Sequence, residues 1–180
     1  MRSFIGNGVP ILIERVMAAR CEATSAARKA DLVDRFMRHY EAASADLTTV
    51  FPGVIGLLAA LQSAGHPIGL CTNKPEAAAR AVLVAFGLDR YFAAVIGGDS
   101  LPERKPHPEP LRATLRALGG GTAVYIGDSE VDVETALAAG MPLLLFSQGY
   151  RKTPLEDLTF AAAFEDFATV PRLMADLGLT

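Results

Sequence analysis

The chain has 180 residues, 51% hydrophobic and 21% charged, enough apolar content for one domain or a domain with a small appendage. A formal net charge of −3, with Lys and Arg scattered and Arg104-Lys105 the densest basic pair, gives no case for nucleic acid. No apolar run approaches the roughly 20 residues that span a bilayer, and Val9 to Met17, interrupted by Glu14 and Arg15, is no signal peptide, so no membrane partner is expected.

Two cysteines make no disulfide framework, and no Cys/His spacing suggests zinc. Cys21 and Cys71 are expected as small core residues of a reduced, cytoplasmic protein.

Residues 1–50 read as helical. Ile11 to Ala19 forms one amphipathic pattern and Ala26 to Ala43 a longer one, with Leu32, Val33, Phe36, Met37 and Tyr40 on its apolar stripe. Those aromatics are expected to be ordinary packing. Phe51-Pro52-Gly53 closes this section, and from there the pattern alternates. The expected elements are helix Val54 to Ala64, strand Ile68 to Cys71, helix Glu76 to Phe86 and strand Ala94 to Ile96. Helix Glu109 to Leu118, strand Thr122 to Ile126, helix Val131 to Ala139, strand Leu143 to Phe146 and helix Phe164 to Leu177 follow. Strands alternating with helices predict β-α-β units, an α/β fold with a parallel sheet covered on both faces. The expected division is residues 1–50 as a helical part and 51–180 as the α/β core.

In a parallel sheet the strand C-termini share one edge, and that edge is where open α/β sheets bind ligands. Thr72-Asn73 and Asp128 each follow such an end, and Lys105 lies in the Pro-rich loop 102–110 after the strand that ends near Ile96. A hydroxyl, an ammonium and a carboxylate pair suit a small phosphorylated substrate bound with Mg²⁺, which takes one or two carboxylates plus water and phosphate oxygens. Thr72 would donate to a phosphoryl oxygen and Lys105 would offset charge. Asp128 would hold the metal, and Asp132 would be a further ligand or would position one. Each has a plainer alternative: Thr72-Asn73 as a helix cap, Lys105 as a solvated loop residue, the acidic pair as a favourable helix start. His107 sits in the same loop without a clear role as a base.

The ordered set Thr72-Asn73, Lys105 and Gly127-Asp128-Ser129-Glu130-Val131-Asp132 resembles the second, third and fourth motifs of the haloacid dehalogenase (HAD) superfamily of phosphatases. Ile5-Gly-Asn-Gly8, Leu12-Ile-Glu-Arg15, Phe51-Pro-Gly53, Thr72-Asn-Lys-Pro75, Ile96-Gly-Gly-Asp99 and Lys105-Pro-His-Pro108 are similar to the bacterial phosphoglycolate phosphatases. The resemblance implies a Rossmann-like core under a partial helical cap. It also implies Mg²⁺-dependent hydrolysis of 2-phosphoglycolate to glycolate and phosphate through an aspartyl-phosphate. Such an activity clears a by-product of DNA-end repair and of oxygenation during carbon fixation. By the same resemblance Thr72 and Lys105 are the catalytic groups present. Thr72, Asn73 and Lys105 bind phosphate, and Asp128 and Asp132 bind metal. Asn7, in the loop Gly6-Asn7-Gly8, is expected near the pocket mouth and Arg15 at a substrate carboxylate, although the same residues equally suit a simple turn with Arg15 exposed.

One departure stands out. The family's first motif, Asp-x-Asp-x-Thr, has no counterpart; Asp31-Leu-Val-Asp34 has the wrong spacing. The attacking carboxylate that covalent phosphoryl transfer requires is therefore missing. The chain reads as a shortened phosphatase that starts inside the cap and is inactive as written. The alternatives are a non-catalytic Mg²⁺- and phosphate-binding or interaction domain, and a sugar-phosphate mutase or phosphatase of the same superfamily. The first strand of that family is central, so its loss predicts two bare strand edges and exposed apolar surface. Nothing in the pattern sets an oligomeric state.

Overall fold

Two parallel sheets, not one, carry the strands of the computed structural model, which describes residues 8–22, 25–42, 45–46 and 48–179. Asn7, with the rest of Ile5-Gly-Asn up to Gly8, lies outside the described residues. Helix α1 (Val9–Ala19) begins two residues ahead of expectation, because Pro10 fits the first turn, where its missing N–H is no loss. Helix α2 (Ala26–Ala42) starts at Ser25, whose Oγ accepts the Arg28 N–H at 3.2 Å. The two helices pack on each other, and Phe36 stacks on Tyr40 at 5.5 Å. Helices α3 (Val54–Ser63), α4 (Glu76–Ala85) and α5 (Glu109–Ala117) end one residue short of expectation, and α6 (Glu130–Ala139) starts one residue early.

Strands β1 (Ile68–Cys71) and β2 (Phe92–Ile96) pair in parallel as one sheet. Strands β3 (Tyr125–Gly127), β4 (Leu143–Phe146) and β5 (Ala162–Phe164) form the other, also parallel. In β4 the alternation is complete: Leu143 and Leu145 enter one core cluster, Leu144 and Phe146 another. Phe146 is ringed by Phe51, Phe164 and Phe167, with centroids 4.7–5.5 Å away.

Two expectations are corrected. Phe164 ends a strand instead of starting a helix, and the last helix is α7 (Val170–Asp176). Pro171 suits only a first turn, and the Phe164 side chain is buried beside β4. Cys21, expected in the core, is exposed with φ 55°, whereas Cys71 is buried.

Among the described residues, strand β1 has β2 on one side only, and β3 has only β4. Their other edges both line an apolar cavity of about 560 Å³, floored by Leu57, Leu58 and Leu61 of α3 and roofed by Leu111 and Leu115 of α5. The bare edges expected from the sequence are present, and the sheet has not closed over them. Helices α3 and α5 hold the two halves together: Leu57 and Leu58 enter different core clusters, and α5 touches β1, β2 and α6.

Candidate active site

The polar groups gather above this cavity, at the carboxyl ends of β1 and β3. After β1 the chain turns at Thr72-Asn73. The Thr72 N–H continues the ladder to the Ile96 carbonyl at 3.0 Å, and Thr72 Oγ1 accepts the Lys74 N–H at 3.1 Å. With a lone pair used in that way, the hydroxyl hydrogen stays available for a phosphoryl oxygen. Asn73 Nδ2 donates to the Lys105 carbonyl at 3.0 Å, which fastens the β1 turn to the loop carrying the lysine.

The turn is fixed from the β2 side. The Gly98 N–H donates to the Lys74 carbonyl at 2.9 Å, Asp99 Oδ1 accepts the Glu76 N–H at 2.7 Å, and Ser100 Oγ donates to Glu76. A Cβ at Gly98 would fall 2.4 Å from the Asn73 carbonyl oxygen, so only glycine allows this approach.

Lys105 reaches inward. Its Nζ donates to Asp132 Oδ1 at 2.7 Å and to the Tyr125 hydroxyl at 2.8 Å, and the Tyr125 hydroxyl donates to Asp132 Oδ1 at 2.7 Å. Both charged side chains are buried, the lysine 10% and the aspartate 5% exposed. The other oxygen, Asp132 Oδ2, accepts the N–H groups of Asp128 and Ser129 at 3.0 and 3.1 Å and the Ser129 hydroxyl at 2.7 Å. This is a capping box at the start of α6. Burial works against the charge of Asp132. The Lys105 ammonium and these hydrogen bonds outweigh it and hold the carboxyl at about 2. Burial and the Asp132 charge push the Tyr125 phenol well above its ordinary value, so it stays neutral.

Asp128 is differently placed. Its Oδ2 accepts the Tyr150 N–H at 3.0 Å, and a Cβ at Gly149 would lie 2.2 Å from its own Cβ. Burial first, and then the nearby Asp132 charge, raise its pKa above the ordinary aspartate value. A carboxylate so under-compensated, beside a second one, favours a cation. Among the described residues no three His, Cys, Asp or Glu side chains group around a metal position. One or two carboxylates are the protein ligands that Mg²⁺ takes, and Asp128 fits such a role.

The structure thus joins Thr72, Asn73, Lys105, Asp132 and Asp128 in one chain of contacts. It leaves His107 out: its Nδ1 accepts the Glu109 N–H at 3.2 Å at the start of α5. Arg15 is half-buried on α1, not exposed. Sequence reasoning missed Tyr125, Gly149 and Tyr150. A phenol inside a buried strand is the one signal available for Tyr125, since its hydroxyl must find a partner. The approach of residues 149–150 to Asp128, more than twenty positions away, leaves no local signal.

Parallel strands, covering helices and a polar cluster at the strand ends define an open-sheet α/β enzyme. The chain belongs to the haloacid dehalogenase-like hydrolases, whose family model matches residues 1–140. A phosphoglycolate phosphatase of Cereibacter sphaeroides is 53% identical over 174 residues, covering 97% of this chain and 80% of that protein. One from Rhodobacter capsulatus is 43% identical over 178 residues, covering 97% and 79%. The crystal structure of a phosphoglycolate phosphatase predicted in Haemophilus somnus superposes with a TM-score of 0.87 at 28% identity, over 96% of this chain and 80% of that one. CbbY from Rhodobacter sphaeroides, solved with phosphate, shares the fold at TM-score 0.80 and 23% identity, over 94% and 78%. No helix among the described residues is long and apolar enough to cross a membrane.

Proposed function

We propose that this site hydrolyses a small phosphomonoester, 2-phosphoglycolate, to glycolate and phosphate with Mg²⁺. The observation that carries the reading is the continuous contact from Thr72-Asn73 through Lys105 to Asp132 and Asp128 at one sheet edge. The Thr72 hydroxyl donates to a phosphoryl oxygen, and Lys105 keeps positive potential at the phosphate. Asp128 holds Mg²⁺, which when bound neutralises and orients the transferred group. Asp132, with five donors on its two oxygens, takes the positioning role, fixing Lys105 and the Asp128 backbone. Helices α1 and α2, within residues 1–50, serve as the cap: Lys74 Nζ lies 5.1 Å over the Tyr40 ring, tying cap to core.

In-line attack needs a carboxylate nucleophile, and the sequence carries no Asp-x-Asp-x-Thr. We place that group on a strand seated between β1 and β3, whose carboxyl end would emerge beside Thr72 and Asp128. An aspartyl-phosphate then forms there and is hydrolysed. The test compares the 180-residue chain with one extended by a strand ending in Asp-x-Asp-x-Thr, each assayed with Mg²⁺ and 2-phosphoglycolate. Turnover is expected only from the extended chain. Turnover by the shorter chain overturns the placement of the nucleophile, and an inert but folded extended chain overturns the phosphatase reading.

A further inference from the structure

We propose that Arg104 is the specificity residue that reads the carboxylate of the substrate; this rests on the 2-phosphoglycolate reading above. The two cations of loop 102–108 point to opposite ends of the site. Lys105 turns inward to Asp132 and Tyr125. Arg104 is exposed and turns toward the start of α1: a Cβ built at Gly8 would meet Arg104 Nη1 at 3.0 Å and the Asn73 carbonyl oxygen at 3.9 Å. The guanidinium, the N-cap residue of helix α1 and the phosphate-side turn therefore crowd a single point.

Arg104 makes no ion pair or side-chain hydrogen bond among the described residues, and it is exposed to an incoming ligand. Its neighbour Lys74 is otherwise engaged, over the Tyr40 ring. In a phosphate ester of a two-carbon acid, one methylene separates the ester oxygen from the carboxylate. A carboxylate reader must then stand close to the turn that holds the phosphate, as the Arg104 guanidinium does, since Nη1 and the Asn73 carbonyl oxygen lie 3.0 and 3.9 Å from one point at Gly8. A guanidinium holds a carboxylate with two parallel hydrogen bonds, which a neutral phosphate ester cannot supply. Arg15, the other candidate, lies seven residues along α1 from Gly8, about 10 Å at 1.5 Å per residue. Gly8 itself, at φ +84°, can carry no side chain without backbone strain.

The test measures calorimetric affinity for 2-phosphoglycolate and for methyl phosphate, which lacks the carboxylate, in Mg²⁺. The full chain and its Arg104→Gln and Arg15→Gln variants are compared. The unsubstituted chain is expected to prefer 2-phosphoglycolate by about tenfold. Arg104→Gln should bring that ratio close to one while weakening methyl phosphate by less than threefold. A preference that survives Arg104→Gln, or that vanishes in Arg15→Gln instead, overturns the assignment and leaves the phosphatase reading intact. Absence of any preference in the unsubstituted chain overturns the assignment as well. If no chain binds methyl phosphate, the phosphate site itself is refuted, and the Arg104 role with it.

Discussion

Replacing Asp132 by Asn would keep its shape and remove the charge that faces Lys105. A buried ammonium would then lack its counter-ion, and loss of about 3–5 kcal/mol is expected in urea denaturation. The pH dependence follows from the same pair. The folded-state pKa of Asp132, about 2, lies below that of an unfolded aspartate. Its contribution is therefore complete above the unfolded value and disappears as pH falls toward 2. Asp128 has the opposite sign. Its raised pKa means that the folded protein resists its charge, so metal-free Asp128→Asn should melt a few degrees higher at pH 7. That gain should vanish below about pH 3.9, where the unfolded carboxyl is also protonated. The same variant should bind Mg²⁺ more weakly by calorimetry. An unchanged melting temperature at pH 7 would show that Asp128 is not destabilising. At this scale the sequence revealed which residues carry chemistry but not how Asp128 and Asp132 divide their roles. That division depends on Tyr125 and Tyr150, whose approach is a matter of tertiary placement.

Among the elements, the turn after β1 is held as much by the Gly97-Gly98-Asp99-Ser100 segment as by its own residues. Gly98→Ala would press a methyl group onto the Asn73 carbonyl. It should cost about 1–3 kcal/mol by denaturation and shift the backbone resonances of residues 72–74. Unshifted resonances would mean that the β2 loop yields instead. The limits of α3 to α6 and of β4 were legible, because caps, punctuating glycines and an unbroken Leu143–Phe146 run leave local marks. Strand β5 was not, since three residues, Ala162–Phe164, carry too little alternation and lie in a segment whose apolar content also suits a helix. Strand β3 begins three residues later than expected. Thr122–Val124 have the composition of a strand, but β4 offers ladder partners only from Leu143 onward.

For the whole molecule, the unfilled gap dominates. Two bare parallel edges and an apolar cavity of about 560 Å³ should bind a hydrophobic dye strongly and promote association at high protein concentration. Dye fluorescence and light scattering check this. A monodisperse sample that leaves the dye dark would show that the halves close on each other in solution. The extended chain described above should suppress both signals.

The division into two sheets also bears on motion. Strand β4, paired on both sides with every side chain buried, belongs to one cooperative unit. Strands β1 and β2, in a separate sheet bridged to it by α3, α5 and the Cys71 side chain, belong to another. Deuterium uptake should accordingly run at two tempos, slow at Leu144 and Leu145 and faster at Gly69 and Leu70. The Lys105 carbonyl is fastened to the β1 turn by Asn73 while its ammonium reaches across the seam to Asp132, so any opening of it would part the ammonium from that carboxylate before either half has melted.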